Sequence, residues 1–409
     1  MNRSLIGFLS ATALLLAAPF TIADDSDTLV SAIKSGKAGV NIRARYEHVD
    51  QDNISEEADA LPVRLRLNYR TGSWRGLSAF AEYDHLFHVL SDFNSGAGTS
   101  PDKGRYPVVA DPKGSDLNQL YLDYQVNDES KIRFGRQRIL LDNQRYVGGV
   151  GWRQNEQTFD GLTFSTKAIS NTTLQYTYVG YVRRIFGQTV SAGKNNVDTH
   201  LLNAKIALAD GWSVTPYYYY IDNQDVAAFS TGTAGARIAG GFKAGDAGKI
   251  NLVAEFATQS DVANNPVGYD AQYAHFDAAW VMENGLSVGI AYESLGGDAA
   301  MSGASFRTPL ATLHKFQGWA DRFLATPAAG IDDLFATVKF KAGAWNFTGL
   351  YHEFSAESGS GDFGTEFDVS AATKISENYG ILFKGAFFSS DDVAYPDTNK
   401  FWIMLTALY

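Results

Sequence analysis

From Lys37 onward the chain repeats one pattern: apolar and polar residues alternate in runs, and the connections between runs are alternately short and long. In Ala38–Val49, Val40, Ile42, Ala44 and Tyr46 alternate with Asn41, Arg43, Arg45 and Glu47. In Leu61–Arg70, Leu61, Val63, Leu65, Leu67 and Tyr69 alternate with Arg64, Arg66, Asn68 and Arg70. A strand shows successive side chains to opposite faces, so each run reads as a strand with one apolar and one polar face. The polar faces are heavily charged and lie opposite Leu, Val and Tyr, which suits a wall between lipid and water. Eight short polar turns, from Thr71–Gly76 to Glu377–Asn378, alternate with nine longer segments that include Asp50–Ala60, Ser91–Ser115, Leu140–Gln157 and Leu295–Gly330. That spacing predicts an all-β chain over residues 37–409: a transmembrane antiparallel barrel of about 18 strands, with short periplasmic turns and long extracellular loops. A barrel of that size encloses an aqueous channel.

Composition agrees. With 26 Phe, 21 Tyr and 39 Gly against 10 Pro and 4 Met, the chain suits strands joined by tight turns. Asn2-Arg3, the apolar run Leu5–Pro19 and Thr21-Ile22-Ala23 form the pattern of a secretory signal peptide, residues 1–23. Residues 24–36 read as a periplasmic leader or short helix capped by Ser26 or Asp27, which could plug the mouth. The expected location is the outer membrane of a Gram-negative bacterium, with lipid and lipopolysaccharide as surroundings. Outward Phe401, Ile403, Leu405, Ala407 and Tyr409 would close the last strand against the first.

The chain has no cysteine, which excludes disulfides and thiolate chemistry. The net charge of -11 is unevenly distributed: residues 1–210 hold 23 Lys+Arg and 23 Asp+Glu, residues 211–409 hold 11 and 22. No basic face dominates, so a nucleic-acid partner is not expected.

The basic residues of the first half are the candidate site. Arg43, Arg45, Arg64 and Arg66 lie on polar strand faces, with Glu47, Glu82, Asp84 and Asp123 as possible cross-strand partners. Lys131–Leu162 adds Arg133, Arg136, Arg138, Arg145 and Arg153. Arg133 has the opposite parity to Arg136 and Arg138, a conflict that a bulge at Gly135 would resolve. Guanidinium groups facing water would draw anions and pair bidentately with carboxylates, while the acidic second half supplies the opposing wall.

Leu140–Gln157, with Asp142, Arg145, Arg153 and Glu156 among glycines, reads as a loop folded into the lumen. Leu295–Gly330 is too apolar for a solvated loop and is expected to pack compactly in or over the mouth, with Phe316 or Trp319 able to stack on a sugar. Asp50–Asp59 could hold a divalent cation, although it lacks an ordered ligand spacing and reads better as a solvated charge run. Asp84 beside His85, and His275 near Asp277, neighbour no nucleophile, so no catalytic residue, cofactor or resident metal is expected.

Arg43-Ala44-Arg45-Tyr46-Glu47, Phe134-Gly135-Arg136-Gln137-Arg138-Ile139 with Asp142 and Arg145, and His314–Phe323 (HKFQGWADRF) together resemble the alginate-export family of outer-membrane barrels. The resemblance implies an 18-stranded pore lined by arginines, Arg136 and Arg138 among them, that passes an anionic polysaccharide or its oligomers. An uptake porin for neutral or acidic oligosaccharides is the companion reading. The expected function is therefore a passive channel favouring anionic sugars such as uronates; the alternative is a surface adhesin or structural barrel with a closed lumen.

Overall fold

The computed structural model describes residues 28–409; the signal peptide expected at 1–23, and residues 24–27 of the leader, lie outside them. A short helix, α1 (Leu29–Lys34), comes first. Strands β1 (Lys37–Gln51), β2 (Ala58–Arg70), β3 (Leu77–Asp92), β4 (Gly114–Asn127), β5 (Ser130–Gln137) and β6 (Thr158–Thr166) form the first third of the wall. Next come β7 (Thr172–Arg183), β8 (Lys194–Ala207), β9 (Ser213–Asn223), β10 (Thr231–Lys243), β11 (Lys249–Asp261) and β12 (Asp270–Val281). The wall ends with β13 (Ser287–Leu295), β14 (Ile331–Ala342), β15 (Trp345–Ser355), β16 (Asp362–Lys374), β17 (Tyr379–Ser390) and β18 (Thr398–Leu408).

Each strand pairs antiparallel with its sequence neighbours, and β1 pairs with both β2 and β18, so the 18-stranded sheet has no free edge. Closure satisfies every ladder, which is what a sheet needs in a medium without water. The expected outward end is in place: the Tyr409 amide donates to the Val40 carbonyl (2.9 Å) and the Val40 amide to the Tyr409 carbonyl (2.8 Å). The turns and long loops alternate as the sequence spacing predicts.

Outward positions carry Leu120, Leu122, Phe134, Phe256, Phe276, Ile290, Phe367 and Phe387, each roughly half exposed. So much apolar surface around a closed barrel is stable only against hydrocarbon. Near the short turns Trp280 donates its indole N–H to the Ala247 carbonyl (2.8 Å), and Trp212 lies over Gly240, where a Cβ would come within 2.3 Å of the ring. Such rings belong at the interfacial girdle.

Thr28 caps α1, accepting from the Ser31 amide (3.1 Å), in place of Ser26 or Asp27. The helix leans on the β2–β3 turn through Gly72 N–H to Ala32 carbonyl (2.8 Å) and the Tyr69 hydroxyl to Ile33 carbonyl, rather than crossing the mouth.

The bulge expected at Gly135 is not there. The β4–β5 register runs unbroken from Leu122↔Phe134 through Tyr121↔Gly135 to Leu120↔Arg136. The extra residue is Asn118 on β4, where the β3–β4 ladder shifts between Glu82 and Tyr83. Gly135 instead has φ +123, and a Cβ there would lie 2.4 Å from the Leu120 carbonyl oxygen. Gly135→Ala is expected to cost about 1–3 kcal/mol, read as a lower urea midpoint for the lipid-reconstituted barrel.

Candidate functional site: the lumen and its inserted loops

Inward parity on β1 and β2 sets Arg43 directly opposite Arg64, two like charges in one cross-strand pair. Such a pair is unfavourable alone and needs acceptors. They come from the β5–β6 loop, residues 138–157, which folds into the lumen as its sequence suggests. Arg43 donates Nε to Gln154 Oε1 (2.8 Å), Nη1 to the Gly151 carbonyl (2.9 Å) and Nη2 to the Arg153 carbonyl. Arg45 holds the Trp152 carbonyl and Asp111, with Glu47 at 3.4 Å. Arg64 donates to the Gln154 carbonyl (3.2 Å) and to Asn41 (2.8 Å). Arg66 forks onto Asp84 (2.7 and 2.6 Å) and reaches Glu156 (2.8 Å). All four arginines are buried. They face inward, and what they meet is the loop.

The parity conflict resolves one residue at a time. Arg133 faces the lumen, forked onto Asp123 (2.7 and 2.9 Å) with its guanidinium 3.8 Å from the Tyr121 ring centre. Arg136 shares the outward register of Phe134 and Leu120 and pairs with Asp160 (2.9 Å). Arg138 lies beyond the end of β5, and the chain has turned it inward to Glu156 (2.6 Å) and Glu82 (3.0 Å). Arg136 and Arg138 thus part company because the strand ends between them.

The loop then crosses the lumen. Arg145 reaches Glu293 on β13 (3.1 Å), Tyr146 packs on Tyr217, Tyr219 and Tyr273, and Asp142 accepts from Asn203 on β8 (2.7 Å). The β13–β14 loop, residues 296–330, also enters and joins it. Gly148 N–H donates to the Leu310 carbonyl (2.8 Å), Gln157 Nε2 to the same oxygen (2.9 Å), and Thr312 Oγ1 to Gln144 Oε1 (2.8 Å).

Carboxylates of the acidic second half hold this second loop. Ala320 N–H donates to Glu366 (2.7 Å), Trp319 N–H to Glu366 and to Asp368 (3.2 Å), and Gln317 to Glu293. Asp321 is the point where both loops meet the wall: it takes Arg153 (2.8 Å), Lys400 (2.9 Å) and His314 Nδ1 (2.7 Å). Burial pushes the His314 imidazole well down. It is therefore neutral, donating Nδ1–H to Asp321 and accepting at Nε2 from Lys384 (2.7 Å). Trp152 stacks on His314 (4.8 Å), and the Lys384 ammonium lies 3.7 Å from the Trp319 ring centre, so Trp319 is packed within the protein.

The sequence reading passed over His314, Asp321, Lys384, Lys400, Glu293, Glu366 and Asp368. Parity alone marks Lys384, Lys400, Glu366 and Asp368 as inward; nothing local marks the loop residues. Asp84 and His85 lie on opposite faces, Asp84 on Arg66 and His85 on Ser115 (2.8 Å). At the acidic β1–β2 loop, Glu57 and Asp59 flank His48 at 3.8 and 3.2 Å, and among the described residues no group of three His, Asp or Glu is arranged to hold a metal ion.

Below the loops, towards the short turns, the inward register carries Lys37, Lys205, Lys243, Lys339, Lys341 and Lys374, all exposed. Asp123 and Glu255 share these faces but are paired with Arg133 and Arg237 (2.7 and 2.6 Å), which leaves the lysines in excess.

The profile of the family described as "Alginate export" matches residues 36–292, well over half of the chain. The chain belongs to the alginate-export family. No curated protein matches the sequence. Among solved structures, OccK8 (OprE) of Pseudomonas aeruginosa superposes with a TM-score of 0.70 at 15% identity, covering 93% of this chain and 99% of that one. OccAB2 of Acinetobacter baumannii gives 0.72 at 14% identity, over 93% and 99%. These likenesses establish the fold, and the family and the apolar exterior make it an outer-membrane barrel.

Arg153 sits between Glu47 (3.1 Å) and Asp321 (2.8 Å), both buried. Arg153→Ala strands two carboxylates and is expected to cost about 3–5 kcal/mol by chemical denaturation. The clamp also has a pH limit. Burial pushes the Glu156 carboxyl up, but Arg66 and Arg138 outweigh it and hold it down to about 2; Arg45 and Arg153 likewise hold buried Asp111 below its ordinary value. A depressed folded value means that the stabilisation is fully present above the unfolded carboxylate value and is lost as pH falls through the folded one. Protection of residues 138–157 from protease should hold down to pH 4.5 and disappear between there and about 2.

Proposed function

We propose that this barrel is a passive, diffusion-driven channel that favours anionic solutes, sugar acids and acidic oligosaccharides of the uronate type above all. The observation that carries the reading is the set of unpaired lysines below the loops. A positive lumen with low-dielectric walls concentrates anions and excludes cations. The arginines do not supply this field, because they are neutralised by the loop and its carboxylates. Membership of a family described as "Alginate export" supports the same solute class.

A second reading has its own support. The two loops interlock across the lumen and their contacts are buried, as expected of a closed structural barrel that displays its remaining loops. Conductance separates the two. In planar bilayers under a KCl gradient, the reversal potential should indicate chloride preference, and Lys339→Gln with Lys341→Gln should move it towards neutrality. Cation preference in the unaltered protein would sink the anion reading, and folded protein without conductance would favour the closed barrel.

A further inference from the structure

The charged side chains of the two inserted loops are mostly buried and paired, but their tips are not. Lys315, in the short 3-10 turn Leu313–Lys315, is exposed, and its ammonium donates only to the Asn143 carbonyl (2.9 Å), with no carboxylate partner. Next to it, half-buried Phe316 lies under the Arg145 guanidinium (4.6 Å to the ring centre) and 5.8 Å from the Lys315 ammonium. The wall facing this tip supplies two more cations on inward register: Arg237 of β10, whose nearest carboxylate is Glu255 (2.6 Å), and exposed Lys339 of β14. Partial burial, then the positive fields of Arg237 and Lys339, hold the Lys315 ammonium below its ordinary value, so the three share one field. Three cations with a single carboxylate between them repel one another, and a bound anion relieves that repulsion.

We propose that Lys315, Arg237 and Lys339 form a carboxylate-binding station in the lumen, assembled only while the 296–330 loop is inserted, with Phe316 offering its ring to the apolar face of a sugar. The station rests on the anion-channel reading and adds to it. A general lysine field attracts every anion alike; a station of converging cations beside an aromatic ring retains a pyranose that carries a carboxylate. Because Lys315 arrives on a loop, the station depends on Asp321 and the carboxylates that seat that loop, and it differs in this from cations built into the wall. Ion pairing at an exposed group is screened by salt, so retention should weaken steadily with ionic strength.

The test uses the full chain in detergent, titrated with D-glucuronate and, in parallel, glucose, followed by calorimetry, with chloride selectivity measured on the same preparations. Saturable glucuronate binding is expected, with none for glucose. Lys315→Gln and Lys339→Gln should each weaken it about three- to fivefold. Lys167→Gln, on a short turn, should leave it unchanged. Retained heat-modifiable mobility on gels shows that the variants are folded. Glucuronate binding that survives the double replacement of Lys315 and Lys339, or no saturable binding by a protein that still prefers chloride, overturns the station and leaves the anion channel standing. Loss of chloride preference in the unaltered protein overturns both.

Discussion

A guanidinium inside a barrel wall has two ways to be stable: open water, or a full set of acceptors. Arg43 and Arg64 face each other across β1 and β2, and neither has a carboxylate opposite on the neighbouring strand. The loop 138–157 supplies what the wall lacks: the carbonyls of Gly151, Trp152, Arg153 and Gln154 end on Arg43, Arg45 and Arg64. Charge-assisted bonds of this kind are stronger than neutral ones, and in a site shielded from water they are costly to leave unmade. The position of this loop, and with it the shape of the lumen, follows from the need to satisfy those arginines.

The uneven charge of the two halves of the sequence has the same origin. Cations of the first strands grip one loop through its carbonyls and Glu156. Carboxylates of the later strands, Glu293, Glu366 and Asp368, grip the other through its N–H groups and Arg145. A loop has both kinds of backbone group to satisfy, and the barrel presents one sign of charge to each insertion. The two grips meet at Asp321, which takes one cation from the first loop and one from β18. Groups so connected are not independent, so replacements at Arg153, Asp321 and Lys400 should not add.

The wall was largely legible in the sequence because period-2 alternation and turn spacing are local and repeat through the whole barrel. Strand number, closure, the outward end of the chain and the inward fold of residues 138–157 all follow from that. Register at strand ends did not. Arg136 and Arg138 have the same parity in the sequence yet lie on opposite sides of the wall, because β5 stops at Gln137. Gly135 looked like a bulge, whereas the extra residue is Asn118 on the next strand, where two amides converge on Glu82 (2.7 and 2.9 Å). Loop partners such as His314 and Lys384, 70 residues apart, are set by packing across the lumen, and no local pattern encodes them.

An inward arginine is therefore poor evidence for a pore lining in a barrel with long loops. The more acceptors a loop brings to a cation, the less of its field reaches a passing solute. The side chains left to act on solutes are those the loops do not reach, and length decides which these are: the insertions descend from the loop end, so residues near the short turns stay uncovered. Selectivity then belongs to plain exposed lysines such as Lys339, Lys341 and Lys374. Lysine suits that position, being a compact, strongly hydrated charge on a flexible stem, whereas the planar fork of arginine suits the fixed acceptors of a folded loop. The division of labour between the two cations in this lumen follows their chemistry.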